Sequence, residues 1–451
     1  MHIFSISGLR QKQELRELVP NVSRRKGNAA SSEDVKLDMK KCLIVSKVTR
    51  YEYERHSHEN ISEQELEKVL RKRGSDYDCM VATHKRQKAF EENVAKSLTD
   101  MGIKVEMASR LTYNEDLIKW CDVVVPCGGD GTFLLAASRV RDANKPVIGF
   151  NSSPKKSVGR LCLPTWCSND VKGAFQALKE GRFRWMRRSR IRTTITCEPK
   201  LLETITPIDL HTLHYCRFVH PKRSFTFKTL NTLITKYFFF VAQVFIGESV
   251  TSRVSLLRLQ IDNGAWSHTK SSGLCVTTGT GSTSWHFSIN CLRTQSVQEL
   301  MKILSEQFGV QIDTALEKAR EVTEKYNQKL MFARPRCPIQ KCTVAAPRAG
   351  THRVLLRNNK VLHRHDYMHT VKVELLAYSV REYITFEEWP TPRGLKVRDR
   401  ASSVKVKSHC TDAGLVIDGS VSFPFNDGTE AILEIHPEDS LMTVQMDDDR
   451  P

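Results

Sequence analysis

The sequence predicts a protein in two parts: an α/β domain with a parallel, Rossmann-like sheet over residues 41–180, and a mostly antiparallel β domain over residues 181–445. In the first part, apolar runs of strand length alternate with segments of helical period, which is the pattern of β-α-β units. In the second part, short strand-like runs are separated by turn signals such as Asp262-Asn263-Gly264 and Asp418-Gly419. Residues 1–40 form a basic tail before both parts.

The α/β part begins with the apolar run CLIVSK, which predicts a strand from about Lys41. Ser62 and Glu65 have the spacing of a capping box and predict the start of a helix. Helical spacing returns over residues 90–101, and Gly102 follows as a C-terminal cap before the strand IKVEM. Strands and helices therefore alternate as the fold class requires.

A glycine-rich loop, GGDGT at residues 128–132, separates the strand VVV from a helix that we expect to run from Phe133 to about Asn144, with VIGFN as the next strand. Glycines let backbone N–H groups approach an anion, and the helix N-terminus adds partial positive charge. The spacing matches neither the P-loop nor the dinucleotide fingerprint. Asp130 would repel a phosphate there unless it serves a metal ion or accepts a proton. Asp130 is therefore a candidate catalytic residue, and a helix cap or turn stabiliser is the alternative.

The second part contains a hydroxyl-rich stretch, VTTGTGSTSWHFSIN, at residues 276–290. Its threonines and serines surround Gly279 and Gly281, and such groups can hydrogen-bond a ribose, a phosphate or a base. A polar hairpin loop is the alternative. Two helices, at about 296–307 and 313–329, interrupt the strands that follow.

The composition narrows the class of protein. The chain has 451 residues, 40% of them hydrophobic, with 13 cysteines and a net charge of +18. The cysteines have no repeated spacing, which favours reduced thiols inside a cell, and no apolar run is long enough to predict a membrane span. The charge suits nucleic acid, anionic lipid or polyphosphate ligands. Without a recognisable nucleic-acid-binding motif, we predict neither a nucleic-acid nor a membrane partner.

The combination of GGDGT in an α/β domain with TGST in a β domain resembles the NAD kinases. FNSSPKKSVGRLCLP, GRFRWMRRSRIR, VFIGES and VIDGSVSFPFNDG extend the resemblance to the mitochondrial members from animals. It implies transfer of the γ-phosphoryl group of ATP, carried with Mg²⁺, to the adenosine-ribose 2′-hydroxyl of NAD, giving NADP. It also implies a homodimer and a mitochondrial location, with which the basic tail is consistent as a weak transit peptide; a disordered tail is the alternative.

The resemblance also implies site residues. Asp130 would orient the 2′-hydroxyl and accept its proton, and no residue of the chain is assigned to a metal of its own. Trp285 would stack on nucleotide, with a core aromatic as the alternative. The residues that would bind nucleotide are Gly128, Gly129, Gly131, Thr132, Phe133, Asn151, Thr278, Gly279, Thr280, Gly281, Ser282, Thr283 and Trp285.

The chain departs from the family where an Asn-Glu or Asn-Asp pair binds the NAD riboses, because Ala242 and Gln243 stand there. A lost charge-assisted hydrogen bond is worth about 1.5–3 kcal/mol. The preceding YFFFVAQ is what a pyrimidine-rich tract ending in CAG encodes, so part of residues 224–243 is a candidate retained intron. The alternatives are an inactive nucleotide-binding isoform, a lipid kinase of the related GGDGT group, which the TGST segment disfavours, and a nucleic-acid binder without catalysis.

Other departures lie in basic segments. In FNSSPKKSVG, Ser153 replaces an acid of the family and Lys156 an arginine. Residues 334–374 form a strongly basic insertion, which we expect to be disordered and which, with residues 200–243, makes the second part irregular. Its cysteines and histidines miss the usual zinc-finger spacing. The run Arg187, Arg188, Arg190 and Arg192 either attracts phosphates or is a solvated strand.

Overall fold

The fold is described from a computed structural model. The cysteines and histidines of the basic insertion, whose spacing disfavours zinc, lie outside the described residues, as do nearly all of the basic tail and most of residues 198–241. They are Cys337, Cys342, His363, His365 and His369. For residues 236–240, only the backbone is described. The described residues are 37–110, 112–197, 208–210, 236–240, 242–332, 375–384 and 395–448.

A parallel sheet forms the centre of the α/β part. Its strands are β1 (Lys41–Ser46), β2 (Lys104–Ser109) and β3 (Val123–Cys127), in the order β2-β1-β3. β1 and β3 are buried throughout except at Lys41, as expected for strands covered by helices on both faces. The α/β prediction for this part is confirmed.

The segment VIGFN lies beside β3 in parallel orientation, but it forms isolated bridges rather than the continuous strand we predicted. The backbone N–H groups of Val124 and Gly128 donate to the carbonyls of Pro146 and Phe150. Pro126, between them, has no N–H to donate, so the ladder is interrupted at that point. The pairing nevertheless places residue 151 next to the GGDGT loop.

The helices of this part begin at well-defined caps. Ser62 and Glu65 form the predicted capping box, and Gly102 has the positive φ of +79° that a C-terminal glycine cap requires. The third helix begins earlier than the spacing predicted, because Asp76 caps it, and the fifth ends earlier, at Arg139. The helices are α1 (Arg50–Ser57), α2 (Glu63–Lys72), α3 (Tyr77–Asp100), α4 (Glu115–Trp120), α5 (Asp130–Arg139), α6 (Thr165–Asn169) and α7 (Val171–Lys179).

Two antiparallel sheets form the second part, which confirms the predicted β architecture. Their strands are β5 (Ile191–Thr196), β6 (Ile208–Asp209), β7 (Lys236–Phe240), β8 (Gln243–Glu248), β9 (Ser255–Ile261), β10 (Ser267–Ser271), β11 (Leu274–Thr277), β12 (Leu376–Val380), β13 (Arg398–Ala401), β14 (Ser403–Ser408), β15 (Ala413–Ile417), β16 (Val421–Pro424) and β17 (Glu430–Ile435). One sheet has the order β10-β9-β14-β17-β5-β7 and the other has the order β13-β12-β11-β8-β15-β16-β6.

The core of the second part is one apolar cluster drawn from both sheets, with Val244 and Leu415 from one and Leu257 and Leu433 from the other. The turns predicted at Asp262 and at Asp418 are present. Asp262 and Asn263 have φ values of 48° and 59°, and Asp418 and Gly419 have 45° and 66°, the positive values that type I′ turns require.

Three helices follow β11, and the second and third of them confirm the two that the sequence predicted. They are α8 (Trp285–Asn290), α9 (Thr294–Phe308) and α10 (Leu316–Leu330).

A two-stranded ribbon brings the last strand back to the α/β part. β4 (Arg184–Arg188) pairs with β18 (Leu441–Gln445), and Val147 donates its N–H to the Met442 carbonyl. Val444 of β18 packs in the same apolar cluster as side chains of the parallel sheet. The ribbon therefore carries the end of β4, at Arg188, to the edge of the α/β part.

Candidate nucleotide-binding and phosphoryl-transfer site

The GGDGT loop joins β3 to α5 in a tight turn. Gly129 is the N-cap of α5, and its carbonyl accepts from Thr132 N–H at 3.0 Å. A Cβ on Gly128 would lie 2.3 Å from the Thr132 hydroxyl oxygen, so only glycine fits there. A Cβ on Gly131 would meet nothing within 4 Å, and Gly131 is exposed. The start of the helix is therefore open on the side where a ligand would approach.

Asp130 is half-buried, and its carboxylate is fixed by a neighbouring loop. Oδ1 accepts the backbone N–H of Leu161 at 2.8 Å, and Oδ2 accepts that of Arg160 at 3.2 Å. The side chain makes no capping bond to its own helix, whose N-cap is Gly129. The carboxylate is therefore held in one orientation from outside the helix. This contact differs from the helix-cap alternative and leaves a catalytic role open.

The adjoining loop, residues 151–163, depends on Asn151. This buried side chain donates to the Ser157 carbonyl at 2.9 Å and accepts from Ser153 N–H at 3.1 Å. Gly159 has φ +61°, and a Cβ there would lie 2.4 Å from the Asn151 amide nitrogen. In this structure, Asn151 shapes the loop that fixes Asp130.

A partly buried thiol, that of Cys162, lies beside the GGDGT loop. Burial raises the pKa of Cys162 to about 12, with a further contribution from the charge of Asp130. The thiol is directed to the Gly128 carbonyl, at 3.7 Å. Cys162 is therefore a neutral packing group at physiological pH rather than a nucleophile.

The TGST turn, Thr280–Thr283, is a single 3₁₀ turn between β11 and α8. The Ser282 hydroxyl donates to the Gly279 carbonyl at 2.7 Å and accepts from Phe332 N–H at 3.1 Å. A Cβ on Gly281 would lie 2.2 Å from the Ala242 carbonyl oxygen. Much of this motif's polar capacity is therefore used to hold its own backbone shape.

Ala242 and Gln243 form a corner that packs against the TGST turn. The Ala242 carbonyl accepts from the Thr277 hydroxyl at 2.8 Å and from Thr278 N–H at 3.0 Å. Both backbone N–H groups of the corner donate to Asp418 Oδ1, at 3.1 and 2.8 Å. Sequence reasoning treated Asp418 only as a turn residue. The Asp418-Gly419 pair was the available signal in the sequence, and the Asp418 carboxylate is what fixes the corner.

The side chains of Gln243 and Phe245, at and beside this corner, contact Ser284 and Trp285 after the TGST turn. The Ser284 hydroxyl donates to Gln243 Oε1 at 3.2 Å. The Trp285 ring stacks on Phe245 with centroids 4.4 Å apart and an interplanar angle of 27°. Trp285 therefore has an aromatic partner within the chain, and it is only partly buried, which leaves room for a second contact.

The predicted arginine run divides into two kinds. Arg187 is exposed and donates to the Ala143 carbonyl and Asn144, while Arg190 is buried and donates to the Asp439 and Val140 carbonyls. Arg192 pairs with the Asp439 carboxylate. Only Arg187 of these three is exposed, and the partners of all three lie outside the site.

Arg188 differs, because its Nη1 lies 3.5 Å from the Thr280 hydroxyl and its guanidinium lies over the Phe133 ring, 5.9 Å from its centre. It connects the TGST turn to the helix that begins at Asp130. The sequence pattern alone did not separate Arg188 from its neighbours in the arginine run. The alternation of side chains along a strand was the signal that Arg187 and Arg188 face opposite ways.

Across the described ranges, three or more His, Cys, Asp or Glu side chains nowhere converge as metal ligands would. Nor does any helix among those residues have the length and apolar character needed to cross a bilayer. The candidate site is thus a helix start with a fixed carboxylate, linked through Arg188 to a glycine- and hydroxyl-rich turn. Such an arrangement is typical of proteins that bind phosphates or nucleotides.

Comparison with known proteins gives the family. A family model described as the ATP-NAD kinase N-terminal domain matches residues 35–157. NAD kinase 2, mitochondrial, from Rattus norvegicus is 34% identical over 411 residues, covering 89% of this chain and 86% of the relative. The Xenopus tropicalis protein of the same name is 32% identical over 431 residues, covering 90% of each. An NAD kinase from Archaeoglobus fulgidus, solved in complex with ATP, aligns at 12% identity with a TM-score of 0.44 over 91% of this chain and 94% of that one. By its sequence relatives, the chain belongs to the NAD kinase family, which confirms the resemblance.

Proposed function

We propose that this chain transfers the γ-phosphoryl group of ATP to the 2′-hydroxyl on the adenosine ribose of NAD, giving NADP and ADP. Membership of the NAD kinase family supports the class of reaction. The observation that carries the residue assignment is the Asp130 carboxylate, which two backbone N–H groups fix at the open start of α5. A carboxylate held in this way can be aimed at one hydroxyl.

In the proposed step, Asp130 accepts the proton of the 2′-hydroxyl while that oxygen forms a bond to the γ-phosphorus. The bond from phosphorus to the bridging oxygen breaks, and its electron pair stays with ADP. Gly131 leaves space for the phosphates, and the first N–H groups of α5 offset their charge. Mg²⁺ arriving with ATP would neutralise phosphate charge, and Asp130 is an oxygen ligand of the kind it accepts.

The other residues of the proposed site hold nucleotide. Backbone N–H groups of the GGDGT loop would contact phosphate and the hydroxyls of Thr280 and Thr283 would contact ribose, while Gly281 and Ser282 hold the TGST turn in shape. The partly buried Trp285, which already stacks on Phe245, would offer its remaining surface to a base. Phe133 and Asn151 would act by shaping the site, since Phe133 is buried and Asn151 is bonded within its loop.

A second candidate is a nucleotide-binding protein without kinase activity, and Gln243 is the observation that favours it. The family carboxylate at this position is replaced by an amide whose oxygen accepts from Ser284. An amide accepts a ribose hydroxyl more weakly than a carboxylate does. The two candidates differ in turnover and not in fold.

The experiment is an assay of NADP formation from NAD, ATP and Mg²⁺ with four proteins: the unaltered chain, Asp130→Asn, Asp142→Asn, and the double variant Ala242→Asn with Gln243→Glu. Asp142 lies beyond the far end of α5 and caps a turn at Asn144, so its variant controls for the loss of a carboxylate. We expect Asp130→Asn to lower kcat by about 10²–10⁴-fold and Asp142→Asn to leave it unchanged. Activity only in the double variant would support the second candidate, and activity in none would overturn the kinase proposal.

We also propose a mitochondrial location and a homodimer. The names of the relatives support the location. Imaging of the full chain fused to a fluorescent protein tests the first proposal, and light scattering of the purified chain tests the second. Cytoplasmic fluorescence or a monomer mass would overturn them.

A further inference from the structure

Arg188 occupies a position that the family comparison does not explain. It is the last residue of β4, and it lies between the TGST turn and the helix that starts at Asp130. Burial lowers the pKa of Arg188 to about 10, and the charge of Asp130 acts in the opposite sense. Arg188 is thus a cation at the junction of both motifs, within the electrostatic field of the proposed base.

The surroundings of Arg188 leave hydrogen-bonding capacity unused. Its Nε is buried and has no hydrogen-bond partner among the residues that the structure describes. The contact from Nη1 to the Thr280 hydroxyl, at 3.5 Å, is at the long limit for a hydrogen bond. Arg192, on the next strand, instead donates to both carboxylate oxygens of Asp439, at 2.7 and 2.9 Å. Arg188 is partly buried, and a guanidinium whose buried Nε has no partner is costly unless an anion completes its bonding.

We infer that Arg188 binds the phosphoryl group as it passes from ATP to the ribose 2′-oxygen, an inference that rests on the proposed function. Asp130 must contact the 2′-hydroxyl to take its proton, so the phosphorus bonded to that oxygen lies close to Asp130 as well. The charge of Asp130 acts on Arg188 and opposes the lowering of its pKa by burial, so this guanidinium is a cation near that carboxylate. Its planar N–H groups match the oxygens of a phosphoryl group.

This role answers the electrostatic problem that Asp130 creates. A carboxylate beside a transferring phosphoryl group repels the charge on its equatorial oxygens. Arg188 donates to those oxygens without taking the proton, which goes to Asp130. It also remains beside the product, so the 2′-phosphate of NADP is bound by the same guanidinium.

A purely structural role would be the tie to Thr280. A single bond of 3.5 Å between the guanidinium and a neutral hydroxyl is a weak tie. The two roles predict different effects on binding. Loss of a structural tie would weaken the binding of NAD and NADP alike, whereas loss of a phosphoryl contact would weaken only the binding of NADP.

The first test is binding, which does not require turnover. Calorimetric titration compares the affinities for NAD and for NADP directly. The proteins are the unaltered chain, Arg188→Gln, Arg188→Lys and Arg187→Gln. Arg187 is the matched control, because it precedes Arg188 on β4 and donates outside the site. We expect Arg188→Gln to weaken the binding of NADP about tenfold or more and the binding of NAD less than about twofold. Arg188→Lys should have an intermediate effect on NADP binding, and Arg187→Gln should leave both affinities unchanged. Equal changes for NAD and NADP, or none, would overturn the role of Arg188.

The second test is kinetic. Arg188→Gln should lower kcat by about 10²–10³-fold with a smaller change in the KM for NAD, and guanidinium added to Arg188→Ala should restore part of kcat, which loss of a structural tie would not allow. A normal kcat in Arg188→Gln, with the parent active, overturns this inference alone. A parent that neither forms NADP nor binds NAD and NADP overturns the proposed function, and Arg188 with it.

Discussion

The two glycine-rich motifs of the site use glycine for different purposes. An added Cβ at Gly131, in the GGDGT loop, meets no atom within 4 Å, whereas an added Cβ at Gly281, in the TGST turn, would lie 2.2 Å from the Ala242 carbonyl oxygen and 2.2 Å from the Thr277 hydroxyl. The first glycine leaves space for a ligand. The second lets two segments of the same chain touch. Similar-looking sequence motifs thus have opposite structural constraints.

The polar groups of the two motifs follow the same division. The Asp130 carboxylate is bound by two N–H groups of a neighbouring loop and remains half-buried. In and beside the TGST turn, the hydroxyls of Thr277 and Ser282 donate to backbone carbonyls. In the proposed reaction, the GGDGT loop therefore supplies the reacting carboxylate. The TGST turn is held rigid by its internal hydrogen bonds, and Arg188 lies between the two motifs.

The largest expected effect is at Gly281. Gly281→Ala should lower the free energy of unfolding by about 3 kcal/mol, because the methyl group meets a backbone carbonyl that cannot rotate away. Gly131→Ala should instead raise it by up to about 1 kcal/mol, since alanine is the better helix former, while lowering NADP formation by blocking the phosphates. Urea denaturation of both variants, with the NADP assay, measures the contrast. Equal stability losses at the two positions would show that the comparison is wrong.

An effect of at most the same size is expected from the buried His286 on the TGST side. Burial lowers its pKa to about 4, with a further contribution from Arg398, and its Nδ1 lies 3.2 Å from the Ser379 hydroxyl. Because the unfolded chain binds the proton more readily, His286 lowers stability as the pH falls from about 6.5 to about 4. The loss reaches up to about 3 kcal/mol.

His286→Asn keeps a hydrogen-bonding group near Ser379 and removes this titration. Urea denaturation at pH 7 and pH 4.5 should therefore show a smaller pH-dependent loss in His286→Asn than in the unaltered chain. The same loss in both proteins would mean that His286 does not titrate as the structure indicates.

The architecture was predictable because local signals agreed with it. The capping box at Ser62, the glycine cap at Gly102 and the turns at Asp262 and Asp418 each act within a few residues, and each is present. The interruption at Pro126 was also visible in the sequence, but it required knowing which carbonyl the missing N–H would have met. Pairing between distant segments sets that, and periodicity does not report it.

The candidate site was only partly predictable for the same reason. Motifs named the GGDGT loop and the TGST turn, and their combination indicated the family to which the sequence relatives assign the chain. Arg188 and Asp418 act through partners far along the chain, Thr280 and the Ala242-Gln243 corner, so no local spacing identifies them. Long-range contacts made by single side chains are the information that one sequence lacks.

The smallest expected effect compares two similar hairpin turns. The carboxylates of Asp418 and Asp262 each accept two backbone N–H groups, at 2.8 and 3.1 Å and at 2.7 and 3.0 Å. Both residues have positive φ, which asparagine tolerates. Replacing either by asparagine should lower the free energy of unfolding by about 1 kcal/mol, because the bonds lose their charge but not their geometry.

Only the Asp418 turn supports the site, since it fixes the corner whose Gln243 side chain meets Ser284. Asp418→Asn should therefore also weaken NAD binding, by about threefold to tenfold, as a loosened corner holds the ribose less well. Asp262→Asn should lose the same stability with unchanged NAD affinity. Calorimetry on the two variants separates a site effect from a fold effect, and matched NAD affinities would mean that the corner is not part of the nucleotide site.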